Sequence, residues 1–209
     1  MKLVIFGATG QVGRHLVAQA LALGHEVTAF VRDPDKLGRS DPRLRAAQGD
    51  VLDPEAVARA VQGQDAVLNA LGMPLMNQQE VRARGTRNIV GAMVRKGVGR
   101  IVCLSALGTG ESRALLPVRY RWFLAPIFMR WLYADHEQQE RTVKSSPLDW
   151  VIVRPGNFVK GPPRGRYCHG DGAIGAKLSL KIAPADVAQF MLAQLNDDGY
   201  LRQAPALSY

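Results

Sequence analysis

KLVIFGATGQVGRHL, residues 2–16, joins a strand pattern to a helix pattern through three glycines. Leu3 to Phe6 form an unbroken apolar run, and beyond it Val12, Leu16, Ala20 and Leu23 recur at helical spacing. A buried strand therefore leads directly into a helix. Gly7, Gly10 and Gly13 occupy the junction. In that context Gly7 permits a tight turn, Gly10 lets the backbone approach a pyrophosphate, and Gly13 lets helix and strand pack closely. The helix N-terminus adds free N–H groups and the positive end of its dipole. Thr9, Gln11 and Val12, interleaved with the glycines, complete the phosphate-binding set.

The alternation of strand and helix continues outward. Runs at residues 26–31, 44–50, 65–71, 100–105 and 149–155 read as further strands, several of them apolar on both faces. Such runs suit a parallel sheet covered by helices on each side. Val81, Gly85, Asn88, Ile89, Ala92 and Met93 fall on one helical face. The expected architecture is α/β: a Rossmann-like doubly wound, mainly parallel sheet with helices on both faces, in a single domain spanning residues 1–209. Two regions break the rhythm. Residues 115–133 are aromatic, arginine-studded and interrupted by Pro117 and Pro126, and residues 154–175 are rich in glycine and proline. Substrate-side elements are expected within about 106–135 and 155–180, beyond the carboxyl ends of the strands. The aromatic segment lacks the continuous apolar length of a membrane span. It packs over the sheet edge, lines a substrate mouth, or meets an interface or partner.

Lys and Arg total 27 against 18 Asp and Glu, a net charge of +9. With no run of like charges, no helix-turn-helix and no aromatic RNA-binding motif, nucleic acid is not the expected partner. An anionic small molecule uses the charge better. The cysteines are Cys103, inside an apolar run, and Cys168. They make no disulfide framework and no metal set, and the chain enters a strand at once without a signal-peptide pattern, so a cytoplasmic monomer or homodimer is expected.

The second strand chooses the dinucleotide. NAD sites commonly place an acidic residue about 20 positions on, whereas NADP sites offer arginine to the 2′-phosphate. Arg32 stands 19 residues past Gly13, with Lys36 and Arg39 nearby to add positive field. Its neighbour Asp33 could instead serve an NAD ribose. NADP(H) is the expected cofactor and NAD(H) the alternative.

Together GATGQVG, VRDPDKL, GDVLD, RIVCLSALG and LDWVIVRPGNF resemble the atypical short-chain dehydrogenase/reductase superfamily, in the NAD(P)H-binding branch that contains biliverdin-IXβ reductase/flavin reductase, over about residues 1–195. The resemblance implies Asp50 and Val51 near the adenine and Asn69, Ala70, Leu71 and Gly72 along the ribose and phosphates. It also implies Ser105 near the nicotinamide and Pro155, Gly156 and Asn157 closing over it. Read from the residues alone, Asp50 either accepts from an exocyclic amine or caps the helix near Pro54. Ser105 either donates to a substrate oxygen or serves as a turn residue before Gly108.

One departure is informative. Many short-chain reductases carry a Tyr-x-x-x-Lys pair in which Tyr donates a proton. Here His136, 18 residues before Arg154, stands where that Lys would be, and Leu132 stands where the Tyr would be. Tyr133 is one residue out of phase and is expected to aim its hydroxyl elsewhere. A positioned acid contributes typically ~10²–10⁴-fold to proton transfer, and a ketone needs it most. A conjugated acceptor spreads the incoming electron pair and takes its proton from solvent. The sequence thus favours hydride transfer to a planar, anionic flavin, biliverdin-like tetrapyrrole or quinone, with Ser105 and His136 as candidate catalytic groups. A non-catalytic dinucleotide sensor is the alternative, and an epimerase or dehydratase is disfavoured by the missing pair.

Overall fold

The structure is a computed structural model that describes residues 1–72, 80–116, 130–170 and 178–209. An eight-stranded sheet runs in the order β3-β2-β1-β4-β5-β6-β10-β8. Its strands are β1 (Lys2–Phe6), β2 (Glu26–Val31), β3 (Leu44–Gln48), β4 (Ala66–Asn69), β5 (Arg100–Leu104), β6 (Asp149–Pro155), β8 (Cys168–His169) and β10 (Ala206–Ser208). All neighbouring strands are parallel except β8, which runs antiparallel to β10. The short β7 (Asn157–Phe158) and β9 (Lys181–Ile182) pair separately, also parallel.

Helices α1 (Gln11–Ala22) and α5 (Pro184–Ala193) cover one face of the sheet, and α2 (Pro54–Val61), α3 (Val81–Lys96) and α4 (Arg130–Lys144) cover the other. The apolar alternation of β1 serves both layers. Leu3 and Ile5 pack with Leu16, Ala20, Val187 and Met191. Val4 and Phe6 pack with Val57, Ile89, Met93 and Val143. Burial on both faces explains why the strand reads as a continuous apolar run. Among the described residues no helix is long and apolar enough to cross a membrane.

The sequence boundaries hold closely, with three corrections. β3 and β4 end earlier than expected, at Gln48 and Asn69. Leu23 does not join the buried face of α1: it is the C-cap and lies exposed. The helix after β3 is capped by Asp53, whose side chain accepts from Glu55 N at 2.9 Å, with Pro54 at the first helical position. Asp50 instead accepts from Leu52 N at 2.9 Å and shapes the preceding turn.

The order reverses between β1 and β4, and that switch point is where a crevice opens at the carboxyl ends of a doubly wound sheet. Two close approaches build its floor. Gly7 has φ +77°, and a β-carbon there would meet Ala70 O at 2.3 Å. A β-carbon at Gly13 would meet Gly7 O at 2.0 Å, so α1 sits directly on the turn that precedes it. Gly91, in α3, is different: a β-carbon there meets only Arg95 Nη1, at 3.5 Å. Intrinsic helix propensity favours Ala over Gly by about 1 kcal/mol, whereas forcing volume into a packed contact costs about 1–3 kcal/mol or more. Gly13→Ala is therefore expected to lower the urea midpoint and Gly91→Ala to raise it. A Gly13→Ala protein as stable as its parent would contradict the close approach.

Candidate active site

A cleft of about 500 Å³ lies at the switch point. Its walls come from five junctions: Gly10 to Val12 at the start of α1, Ala70 to Gly72 after β4, Leu104 to Leu107 at the end of β5, Tyr133 and His136 on α4, and Pro155 to Phe158 after β6. Leu116, Leu180 and Arg82 complete it.

The start of α1 is built to receive an anion. Gly10 N donates to Gly7 O at 2.9 Å, closing the turn, and the first helical bond runs from Arg14 N to Gly10 O at 3.1 Å. The N–H groups of Gln11, Val12 and Gly13 therefore have no acceptor within the helix. The N-cap makes no side-chain hydrogen bond and the first turn holds no acidic residue. Arg14 steadies the loop by donating to Thr9 O at 2.9 Å. Gly10 itself has an ordinary extended backbone, φ −74° and ψ 176°, and a β-carbon there would meet only Gly7 O, at 3.2 Å. That contact is tighter than ordinary van der Waals packing but far looser than those at Gly7 and Gly13.

Farther along the same sheet edge, Arg32 is exposed just past β2, and its carbonyl accepts from Gln48 Nε2 at 3.3 Å. Asp33 is engaged locally: it accepts from Asp35 N at 3.2 Å and pairs with Lys36 at 3.3 Å. Among the described residues Arg32 has no ion pair, which leaves its guanidinium for a ligand. Asp50 is exposed, and Val51 is buried with its carbonyl held by Asn88 Nδ2 at 2.9 Å.

Asn69 turns inward. Its Nδ2 donates to Thr86 Oγ1 at 2.8 Å and to Cys103 Sγ at 3.5 Å, and its Oδ1 accepts from Leu71 N at 3.3 Å. It shapes the Ala70 to Gly72 wall from beneath. Gly7, Thr9, Gly13, Arg32, Asp50, Val51 and Asn69 thus lie outside the cleft lining, and the other predicted site residues lie in it.

The two candidate catalytic groups take roles the sequence did not show. Ser105 is buried, and its Oγ donates to Glu140 Oε1 at 2.7 Å. Burial alone would raise the Glu140 carboxyl, but the hydrogen bonds and charge of Arg154, then Ser105 and Lys144, outweigh it and hold the group below the usual carboxylate range. The single hydroxyl proton of Ser105 is therefore committed to a carboxylate and is not offered to a substrate oxygen. His136 is 5% exposed, and burial followed by the charge of Arg82 pushes its pKa from 6.5 down to about 3. Gln139 Nε2 donates to Cys103 Sγ at 3.2 Å and Thr86 Oγ1 at 3.3 Å. That leaves Gln139 Oε1 to accept from His136 Nδ1 at 3.3 Å. Burial and the acceptor Gln139 Oε1 favour a neutral imidazole with its proton on Nδ1, which argues against His136 as an acid.

Tyr133 lines the cleft, and its hydroxyl donates to Leu107 O at 3.4 Å. Arg82, which sequence reading missed, reaches the cleft from α3 and pairs with Asp135 at 3.3 Å, while Ala83 N donates to the same carboxylate at 3.0 Å. The available signal was the row of polar residues on α4, where Asp135 and His136 precede Gln139 and Glu140 by three to five positions on one face, all four buried. Arg113 sits on the short 3₁₀ turn Gly110–Leu115, and Arg119, Tyr120, Arg121, Trp122 and Phe123 lie outside the described residues.

Strand order, switch-point cleft and glycine-built anion seat together define a Rossmann-like nucleotide-binding fold. The chain belongs to the NAD(P)H-binding family, whose profile matches residues 7–198. A chloroplastic protein of Arabidopsis thaliana, itself uncharacterised, is 33% identical over 177 residues, covering 78% of this chain and 61% of that protein. The (4-alkanoyl-5-oxo-2,5-dihydrofuran-3-yl)methyl phosphate reductase of Streptomyces griseus is 26% identical over 216 residues, covering 99% of this chain and 67% of that protein. The chain thus spans about three fifths to two thirds of these relatives' lengths. The anaerobilin reductase ChuY of Escherichia coli O157:H7 shares the fold, with a TM-score of 0.81, 22% identity, and coverage of 100% of this chain and 97% of that one.

The neutral state of His136 has a consequence for stability. The folded protein leaves it unprotonated down to about pH 3, whereas the unfolded chain protonates near its ordinary 6.5. Between those values the unfolded state binds more protons. The contribution is full above pH 6.5 and is lost as pH falls toward 3, at up to about 1.4 kcal/mol per pH unit. Chemical denaturation between about pH 6 and pH 4 is expected to show a shallower loss for His136→Gln than for the parent protein. Parallel curves would contradict a neutral buried His136.

Proposed function

We propose that this protein is an NADPH-dependent reductase that delivers hydride to a conjugated small-molecule acceptor of flavin, tetrapyrrole or quinone type. The observation that carries this reading is the combination, in one cleft, of an anion seat at α1 and a reaction wall whose hydroxyl and imidazole protons are engaged by protein acceptors. Ser105 gives its proton to Glu140, Tyr133 gives its own to Leu107 O, and His136 is neutral with its proton turned to Gln139. A wall of that kind is poorly suited to protonating an alkoxide as it forms. It is well suited to an acceptor that spreads charge over a conjugated system and draws its proton from water.

The chain's own residues supply binding and orientation. The N–H groups of Gln11, Val12 and Gly13 would hold the diphosphate of the dinucleotide, Arg32 the 2′-phosphate, and the Ala70 to Gly72 and Pro155 to Asn157 segments would flank the remainder. When bound, NADPH supplies a hydride equivalent. Leu107, Leu116, Phe158 and Leu180 line the cleft with apolar surface that a planar ring can cover. The ionisable groups on the described wall are Arg82, Tyr133 and His136, with no carboxylate among them, which suits an acceptor that carries anionic groups. The Streptomyces relative is named a reductase, in keeping with this reading.

The test is to follow loss of reduced nicotinamide absorbance with FMN, riboflavin, biliverdin and a quinone. Turnover with at least one of them is expected, and intact cofactor binding with no turnover across the panel would overturn the proposal. Arg32→Ala is expected to raise the Kd for NADPH about tenfold or more and that for NADH less than about twofold. Equal loss for both would show that Arg32 does not read the 2′-phosphate.

A further inference from the structure

A serine hydroxyl carries one proton and two lone pairs, and its rotor turns to suit its partners. Its polarity is fixed only where a neighbour is unable to donate. Glu140 is such a neighbour. Arg154 Nε donates to the same Oε1 that Ser105 uses, at 2.9 Å, and Arg154 Nη2 donates to Oε2 at 2.5 Å. Lys144 Nζ lies 3.3 Å from Oε2. A proton on Glu140 would face these N–H groups, so the carboxylate stays ionised and accepts only. Arg154 is held in turn by Glu111 at 2.8 Å, and Lys144 also reaches Glu111 at 3.5 Å. The charge of Glu140 is thereby locked on the protein side of Ser105, while Ser105 itself lines the cleft.

We propose that Glu140 fixes Ser105 as a hydrogen-bond acceptor toward the cleft, so that the ligand group seated against Ser105 is an N–H donor. Two ligands carry that chemistry: the carboxamide of the nicotinamide, and an acceptor with an imide or pyrrole N–H. The second rests on the reductase reading. A carbonyl oxygen placed there would oppose lone pair to lone pair, which discriminates against simple ketones. Ser105 is then a contact residue, and Glu140, acting through it, is a positioning residue.

Calorimetry on the full chain separates the sources. The first pair of probes is NADPH and its 3-acetylpyridine analogue, which keeps the carbonyl and lacks the amide N–H. The second pair is lumiflavin and its N3-methyl derivative, titrated into cofactor-saturated protein. In at least one pair, masking the N–H is expected to weaken binding to the parent protein about tenfold, and to weaken binding to Ser105→Ala less than about twofold. Loss in the first pair assigns the carboxamide, and loss in the second assigns the acceptor. No loss in either pair, or equal loss in both proteins, overturns the proposal.

Glu140→Gln introduces an amide that can donate to Ser105 Oγ and release its proton. The N–H preference is expected to fall toward unity in that variant and to be retained in Glu140→Asp. A folded Glu140→Gln protein that keeps the full preference overturns the positioning role. Where circular dichroism shows that it does not fold, the Ser105→Ala comparison decides. A protein that shows the cofactor effect yet reduces no acceptor keeps this inference and loses the reductase reading.

Discussion

The contact on which the rest depends is the one between Gly13 and the carbonyl of Gly7. It leaves no room for a side chain, and together with the approach of Gly7 to Ala70 O it brings three elements to one point: the end of β1, the start of α1 and the loop after β4. With those fixed, the free N–H groups of the first helical turn face the crevice where the strand order reverses. The glycine spacing is therefore a strict packing requirement at Gly7 and Gly13 and a milder one at Gly10, the one of the three that lines the cleft.

A second layer sets the character of the cleft. Helix α4 presents Asp135, His136, Gln139 and Glu140 to the interior, where polar groups are costly unless paired. Each has its partner: Arg82, Gln139, the Thr86 and Cys103 pair, and Arg154 with Ser105. Burial also pushes the Cys103 thiol up, which keeps it an uncharged acceptor beneath the site. The effect is to fix protons before any ligand arrives. The Ser105 and His136 protons are engaged by Glu140 and Gln139.

Six strands, the first helix and the glycine-built turn between β1 and α1 were legible because each is a local pattern: apolar runs, helical spacing, and glycines between strand and helix. Leu23 escaped because helical periodicity does not say where a helix stops, and α1 ends one residue before it. β10 is a three-residue strand that becomes a strand only by lying beside β6, a pairing between residues more than 50 apart. The same holds for the site. That Ser105 is at the cleft was readable from its place after β5. That its proton is bound to Glu140 depends on a helix 35 residues away and on Arg154 beside it. Tyr133 was judged out of phase from spacing within α4 alone, whereas its position follows from how that helix lies against the turn at Leu107 and Gly108.

The central claim is that the opening turn of α1 is a seat for a dinucleotide diphosphate, with Gly10 kept bare for the ligand's approach. Titration of NADPH into the parent protein and Gly10→Ala, with melting temperatures measured in parallel, tests it most directly. Saturable binding to the parent and at least about a tenfold loss in Gly10→Ala are expected, with both proteins folded well above the temperature of the titration. Equal affinity in the two proteins, or no binding to either, would contradict it.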